Sequence, residues 1–281
     1  MDRHAGGVAR RELLGITFDA VGMTRAVRRC TDAVEQKRYL SVGMVNAAKV
    51  VAMRKDDLLR GAVARCGMVL ADGQSVVWAS QLLGSPLPER VAGIDLFTML
   101  LAQAAQRGYR VYFLGARPDV LRRMLAEVGR EYPNLIVAGA RDGYFGPDEQ
   151  SGVVAEILRC APDLLFLGMS SPGKELFGDQ WGERTGASVV HGVGGSFDIL
   201  AGLTRRAPLW WQRHGLEWLY RTWQEPARLG RRYLTTNASF MTMVVREALG
   251  RRWRSGARSG RRAARSGPPP GSRSQSPGEW P

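Results

Sequence analysis

The residues of this 281-residue chain that are equipped for chemistry sit in short segments, each following an apolar run. At 192–202 the chain reads GVGGSFDILAG, three glycines after the apolar ASVVH and before helical sequence. Backbone N–H groups at such a turn bind an anion without any charged side chain. A dinucleotide fingerprint requires G-x-G-x-x-G, but counted from Gly192 the third glycine slot holds Phe197. A different kind of phosphate loop and a glycine turn serving only packing both stay open. In LADGQSVV, Asp72 stands between a strand-like run and a helix, as either a helix N-cap or a base facing a ligand. Arg90, in ERVAGIDL, can clamp a phosphate bidentately or pair with Glu89 or Asp95. In SSPGKE, Ser171 fits an N-cap with Pro172 at the first helical position, and the same hydroxyl and N–H groups suit a diphosphate or a sugar.

These segments need a scaffold, and the pattern between them predicts one. Apolar, β-rich runs at 39–45, 68–72, 109–116, 135–140, 162–169 and 187–194 alternate with helical patterns, among them 46–66, 93–106, 149–160 and one starting at Pro172. Strands separated by helices pair in parallel, and runs without polar alternation belong in a sheet covered on both faces. The expected fold class is therefore α/β, a Rossmann-like parallel sheet with helices on both faces. Open parallel sheets bind ligands beyond the carboxyl ends of their strands. Asn46, Asp72, Gly115, Ser171 and the 192–195 glycines all fall at those ends.

Composition narrows the function classes. Three scattered cysteines with no C-x-x-C argue against a disulfide framework or a zinc set, and three scattered histidines against a histidine metal site. No Asp-Xaa-Asp is present to hold a divalent cation, since Asp56 and Asp57 are adjacent. There is no secretory signal and no run of about 18 apolar residues to span a bilayer, so any membrane contact is expected to be peripheral and the location cytoplasmic. Of the formal net charge of +14, +12 lies from Arg205 onward. Anionic membrane and nucleic acid both explain such a block.

From Thr204 the character changes. Four of the eight tryptophans, Trp210, Trp211, Trp218 and Trp223, interleave with arginines. Leu209, Leu216, Leu219, Tyr220 and Trp223 form a stripe at helical spacing, while Arg213, Glu217 and Arg221 lie four apart on another. The expected organisation is a flexible arm over 1–11, a catalytic body over 12–204, and a basic, amphipathic helical appendage over 205–250. An Arg/Ser/Gly/Pro-rich tail over 251–281 has the composition of disorder.

Taken together and in order, VNAAKV, LADGQSVVWAS, ERVAGIDL, YFLGARPDV, PDLLFLGMSSPGKE, GVGGSFDILAG and RRAPLWWQRHGLEWLYRTWQEPARLGRRYL resemble the WecG/TagA/CpsF glycosyltransferase family, over roughly 15–234. The resemblance implies an inverting, metal-independent transfer of an N-acetylmannosamine-type sugar from a UDP donor. The implied acceptor is a sugar on a polyprenyl diphosphate at the inner membrane face, in the synthesis of cell-wall polymers such as teichoic acid or of exopolysaccharide. It places Asp72 as general base, with Asn46 and Arg90 at the sugar or diphosphate. The donor site would take Gly115, Ser171, Lys174, Gly194, Gly195, Ser196 and Asp198. The acceptor and membrane side would take Arg205, Arg206, Trp210, Trp211, Arg213, Trp218 and Arg221. No cofactor beyond the UDP-sugar co-substrate is implied. Two departures stand out: Met44 where a threonine is frequent, and Lys174 in a slot usually held by glutamine, which leaves an acidic donor sugar open. The rival reading is an Arg-rich nucleic-acid-binding protein on a Rossmann-like body, but a helical tryptophan stripe fits lipid better than base stacking, and no nucleic acid is expected.

Overall fold

A computed structural model describes residues 8–208, 210–211, 217–224 and 235–250. Among them, six strands form one parallel sheet: β3 (Leu40–Val45), β4 (Met68–Ala71), β5 (Arg110–Gly115), β6 (Ile136–Arg141), β7 (Leu164–Gly168) and β8 (Val189–Gly192), in the order β4-β3-β8-β7-β5-β6. The expected α/β sheet with helices on both faces is what the chain adopts. Its central strands are buried because their apolar side chains alternate between two covered faces. On one face Met44, Leu70, Val111, Phe113, Phe166 and Val189 pack under α1 (Met23–Glu35), α5 (Gly93–Arg107), α6 (Pro118–Glu131) and α9 (Ser196–Leu200). The other face is covered by α2 (Ala47–Met53), α3 (Asp57–Ala64), α4 (Gln74–Leu82), α7 (Gln150–Cys160) and α8 (Gly173–Trp181).

Local sequence moves several boundaries. The expected single helix over 46–66 is two helices, because Asp56 accepts the N–H of Leu59 at 2.9 Å and caps a fresh start. β1 (Arg10–Leu13) begins within the stretch expected to be an arm and pairs antiparallel with β2 (Ile16–Asp19). Asp19 then ties this hairpin to the body, accepting from Arg29 at 2.9 Å and from the Val69 N–H at 2.8 Å.

The C-terminal part is also tied down. Residues 235–250 are helical, and Phe240 and Val244 are buried in the core cluster that holds Leu13, Phe18, Val50 and Val76. The basic stretch 225–234 and the tail over 251–281 lie outside the described residues.

Helices leave the sheet in opposite directions around β8. The chain after β3 enters α2 and after β7 enters α8, both on one face; after β8 it enters α9 on the other. A crevice opens at the strand ends wherever neighbouring connections diverge in this way.

Candidate active site

The glycine loop is set into the crevice by Phe197. Its ring lies 5.8 Å from Phe113 and 5.9 Å from Phe97, centroid to centroid, in a buried aromatic cluster with Phe166. A Cβ on Gly168 of β7 would stand 2.3 Å from the Phe197 ring. The small residue that close packing demands is therefore on the neighbouring strand, which explains why the third slot of a dinucleotide fingerprint is filled here by a phenylalanine. Gly194 has φ +55, a left-handed turn that side chains disfavour, and aims the loop back past Lys174. The Ser196 hydroxyl donates to the Val193 carbonyl at 2.9 Å and so shapes the turn itself. Gly195 caps the short α9, and Asp198 lies in its first turn, its carbonyl accepting the N–H groups of Leu203 and Thr204. Gly115, at φ +137, lets the ends of β5 and β7 close together: a Cβ there would come within 2.4 Å of the Gly168 backbone.

Of the two sequence options for Asp72, the helix N-cap does not hold. Gly73, not Asp72, is the N-cap of α4. The Asp72 carboxylate instead reaches across the rim, and its Oδ1 accepts the N–H of Gly93, the first residue of α5, at 2.9 Å. The Asp72 N–H is held by the Val45 carbonyl at 2.9 Å. A half-buried residue is thus held by its backbone and by its carboxylate at the mouth of the sheet, with the positive end of a helix dipole favouring its negative charge. Asn46, the N-cap of α2, uses its side-chain oxygen to accept the Lys49 N–H at 3.0 Å, and its Cβ is 3.3 Å from where a Cβ on Gly73 would lie. Asn46 and Asp72 therefore sit side by side.

Behind them lies a buried charge cluster. Lys49 Nζ is 2.5 Å and Lys174 Nζ 3.1 Å from the same Glu175 oxygen, with side-chain exposures of 9% for Lys49 and 7% for Glu175. Burial alone would raise the Glu175 carboxyl, but the two ammonium groups outweigh it and hold it below its ordinary value. Burial, then the Lys49 charge, lowers Lys174 against the opposing pull of Glu175 and Asp72. The second Glu175 oxygen is buried with no hydrogen-bond partner, and Glu175 lines a cavity of about 190 Å³ together with Tyr39, Ser41 and Cys66. Lys174 also runs along the glycine loop, within 3.5 Å of where a Cβ on Gly194 would be. Ser171 is exposed and precedes α8, whose N-cap is Pro172, so the expected N-cap role does not hold. The helix starts one residue later than that role requires.

Arg90 pairs with neither Glu89 nor Asp95. Its guanidinium is 2.8 Å from Glu217, which lies on the C-terminal helix Glu217–Gln224. Arg206 bridges the same pair of elements, 2.5 Å from Asp95 and 3.5 Å from Glu217. Glu217 thus serves as the clasp between that helix and the rim. Trp211 packs on Tyr220 at 5.8 Å, whereas Trp210 and Trp223 are 59% and 75% exposed, and Arg205 is exposed. Arg213 and the side chains of Trp218 and Arg221 lie outside the described residues.

The rim thus gathers Asn46, Asp72, Lys174 and the glycine loop, while Arg90 and Arg206 join it to the C-terminal helix. Sequence reasoning did not single out Lys49, Glu175 or His191, and it noted Glu217 only for its spacing from Arg213 and Arg221. The first two stand inside motifs already noticed, as the lysine of VNAAKV and the glutamate of SSPGKE. The thiols of buried Cys30 and part-buried Cys66, pushed up by desolvation to about 12 and about 11, are not nucleophiles at neutral pH. A rim with one anchored carboxylate, the exposed Gly195 at the start of α9 and several cations is equipped to take a proton from a hydroxyl and to steady a departing phosphate.

An N-acetylglucosaminyldiphosphoundecaprenol N-acetyl-beta-D-mannosaminyltransferase of Bacillus spizizenii is 40% identical over 63% of this chain and 68% of its own length. The protein of the same name from Bacillus subtilis is 34% identical over 69% of this chain and 75% of its own. The model of the glycosyl transferase WecG/TagA/CpsF family matches residues 11–254, and with most of its length matched the chain belongs to that family and is a glycosyltransferase.

Proposed function

We propose that the protein transfers an N-acetylmannosamine-type sugar from a UDP donor to a sugar carried on a polyprenyl diphosphate, with inversion and without a metal ion. The reading rests on one observation above all, the Asp72 carboxylate anchored at the sheet mouth beside Asn46 and across from Lys174. In the proposed reaction Asp72 takes the proton of the acceptor hydroxyl as that oxygen attacks the anomeric carbon. The bond to the UDP oxygen breaks on the opposite face, which inverts the configuration. Negative charge growing on the departing diphosphate meets the Gly195 N–H and the Lys174 ammonium. That fixed dipole and cation are the reason for proposing a metal-free route. The names of the two Bacillus relatives support the acceptor class.

Among the described residues no helix is long and apolar enough to cross a membrane. We place the protein peripherally on the inner membrane face, with exposed Trp210 and Trp223 at the interface and the arginines at head groups. Nucleic acid is not a proposed partner.

The test is a transfer assay with purified protein, a short-chain polyprenyl-diphosphate sugar and a panel of UDP-sugars, run with and without EDTA. The expected result is inverted product from one N-acetylmannosamine-type donor, neutral or acidic, at a rate unchanged by EDTA. Absence of transfer from every donor rejects the substrate assignment; loss on chelation, restored by Mg²⁺ or Mn²⁺, rejects the metal-free mechanism.

A further inference from the structure

We infer that His191 is a positioning residue for Asp72, acting through Gly93 at the N-terminus of α5. The inference rests on reading Asp72 as the base.

His191 stands on β8, Asp72 just past β4, and β3 runs between those two strands. Gly93 lies over the end of β3: a Cβ on it would be 3.5 Å from the Met44 side chain and 3.9 Å from Asp72 Oδ1. From one side the Gly93 N–H donates to Asp72 Oδ1 at 2.9 Å. From the other, the Gly93 carbonyl is 3.2 Å from His191 Nε2. A carbonyl only accepts, so Nε2 carries the proton, and Nδ1 is the bare nitrogen. That nitrogen is buried with no hydrogen-bond partner, and the ring is fully buried, which pushes the histidine down to about 4 and keeps it neutral. The ring therefore gives up one polar contact to make the other.

The first residue of α5 is thus gripped by side chains from the two strands flanking β3. A nearby constraint runs the same way, with the Val91 N–H donating to the Ala71 carbonyl at 2.9 Å. Removing the histidine N–H frees the Gly93 carbonyl end of this bridge and lets the first turn of α5 shift relative to β8. The carboxylate then loses its fixed angle toward the acceptor, while the glycine loop that meets the donor diphosphate is left in place. An error of about 1 Å at a reacting group costs on the order of 100-fold in rate.

The test compares His191→Gln with His191→Met. The two replacements are similar in length and volume, and only glutamine carries an N–H able to reach the Gly93 carbonyl. His191→Met is expected to lower kcat roughly 10- to 100-fold with the donor KM within about twofold of wild type, and His191→Gln to recover most of the loss. In an Asp72→Asn background, His191→Met is expected to cost nothing further, since a residue acting through Asp72 has no effect once that carboxylate is gone. His191→Leu replaces the methionine variant if the latter does not fold. Wild-type kcat in His191→Met, an effect confined to KM, equal damage from Gln and Met, or full additivity with Asp72→Asn overturns the inference. Wild-type turnover in Asp72→Asn alone instead rejects the base reading, and the positioning role with it.

Discussion

The two sides of the rim are built by opposite means. On the β3–β4 side, Asn46 and Asp72 follow directly on strand ends, and their contacts close on backbone groups of α2 and α5. The charged groups behind them, Lys49, Lys174 and Glu175, are buried and compensate one another. On the C-terminal side, Arg90 and Glu217 are about as buried as Lys174, Arg206 and Asp95 are more exposed, and side-chain ion pairs join the segments. The first side is as rigid as the sheet beneath it. The second is a clasp whose strength depends on a handful of ion pairs, of which the more exposed, such as Arg206–Asp95, contribute only about 0–1 kcal/mol each. A donor site belongs on the first side, where geometry must not drift, and a lipid-borne acceptor on the second.

Several substitutions sharpen that contrast. The largest effect is expected from Asp72→Asn, which removes the base but keeps an oxygen able to accept the Gly93 N–H. Turnover should fall roughly 100- to 10,000-fold with UDP affinity and Tm close to wild type. A large drop in Tm with normal turnover per folded molecule would instead assign Asp72 to helix anchoring alone.

Next comes Glu175→Gln, which leaves Lys49 and Lys174 facing each other without their shared counter-charge. Breaking a buried pair costs roughly 3–5 kcal/mol, read as a lower denaturation midpoint at pH 7. The sign with pH follows from the depressed carboxyl: its contribution is present above the ordinary value of 4.5 and is lost as pH falls through the folded value. The gap between wild type and variant should therefore narrow in acid. An unchanged midpoint at pH 7 would show that water solvates the cluster.

A smaller effect concerns the clasp side and its surroundings. Full-length protein is expected to co-sediment with anionic vesicles, with binding weakened several-fold but not abolished in high salt, because screening reduces the arginine attraction and leaves aromatic burial intact. Salt-independent binding, or none, would remove the membrane from the account.

Much of the first side was legible in the sequence, and little of the second. Unbroken apolar runs such as RVYFLG and LLFLG announced buried parallel strands, and the polar residues immediately after 40–45 and 68–71 announced the rim. The contact of the Asn46 side chain with the Lys49 N–H lies within one turn of helix, where local rules operate. Arg90 was visible as a cation, but nothing local marks Glu217 as its partner, since that pairing exists only after the chain has folded back across the rim. The same holds for His191, whose partner is a backbone carbonyl on another element. The β1–β2 hairpin was missed because its strands are four residues long and its anchor, Asp19, acts on Val69 and Arg29 at a distance. Helix 235–250 was read as part of a surface appendage, and the burial of Phe240 and Val244 shows that one face of it belongs to the core.

That burial also decides how the division of labour is best tested, because cutting the chain after Thr204 would strip two side chains from the core. The direct measurement keeps the full chain and reverses one charge. For Glu217→Lys, UDP binding by titration calorimetry and transfer at varied acceptor concentration are measured on the same preparation. The account predicts UDP affinity within about twofold of wild type, and transfer lowered at least about tenfold through a raised acceptor KM, as one charge reversal against two arginines opens the clasp. UDP affinity that falls in step with transfer, or transfer that is unaffected, would contradict the separation of a sheet-borne donor side from a clasped acceptor side.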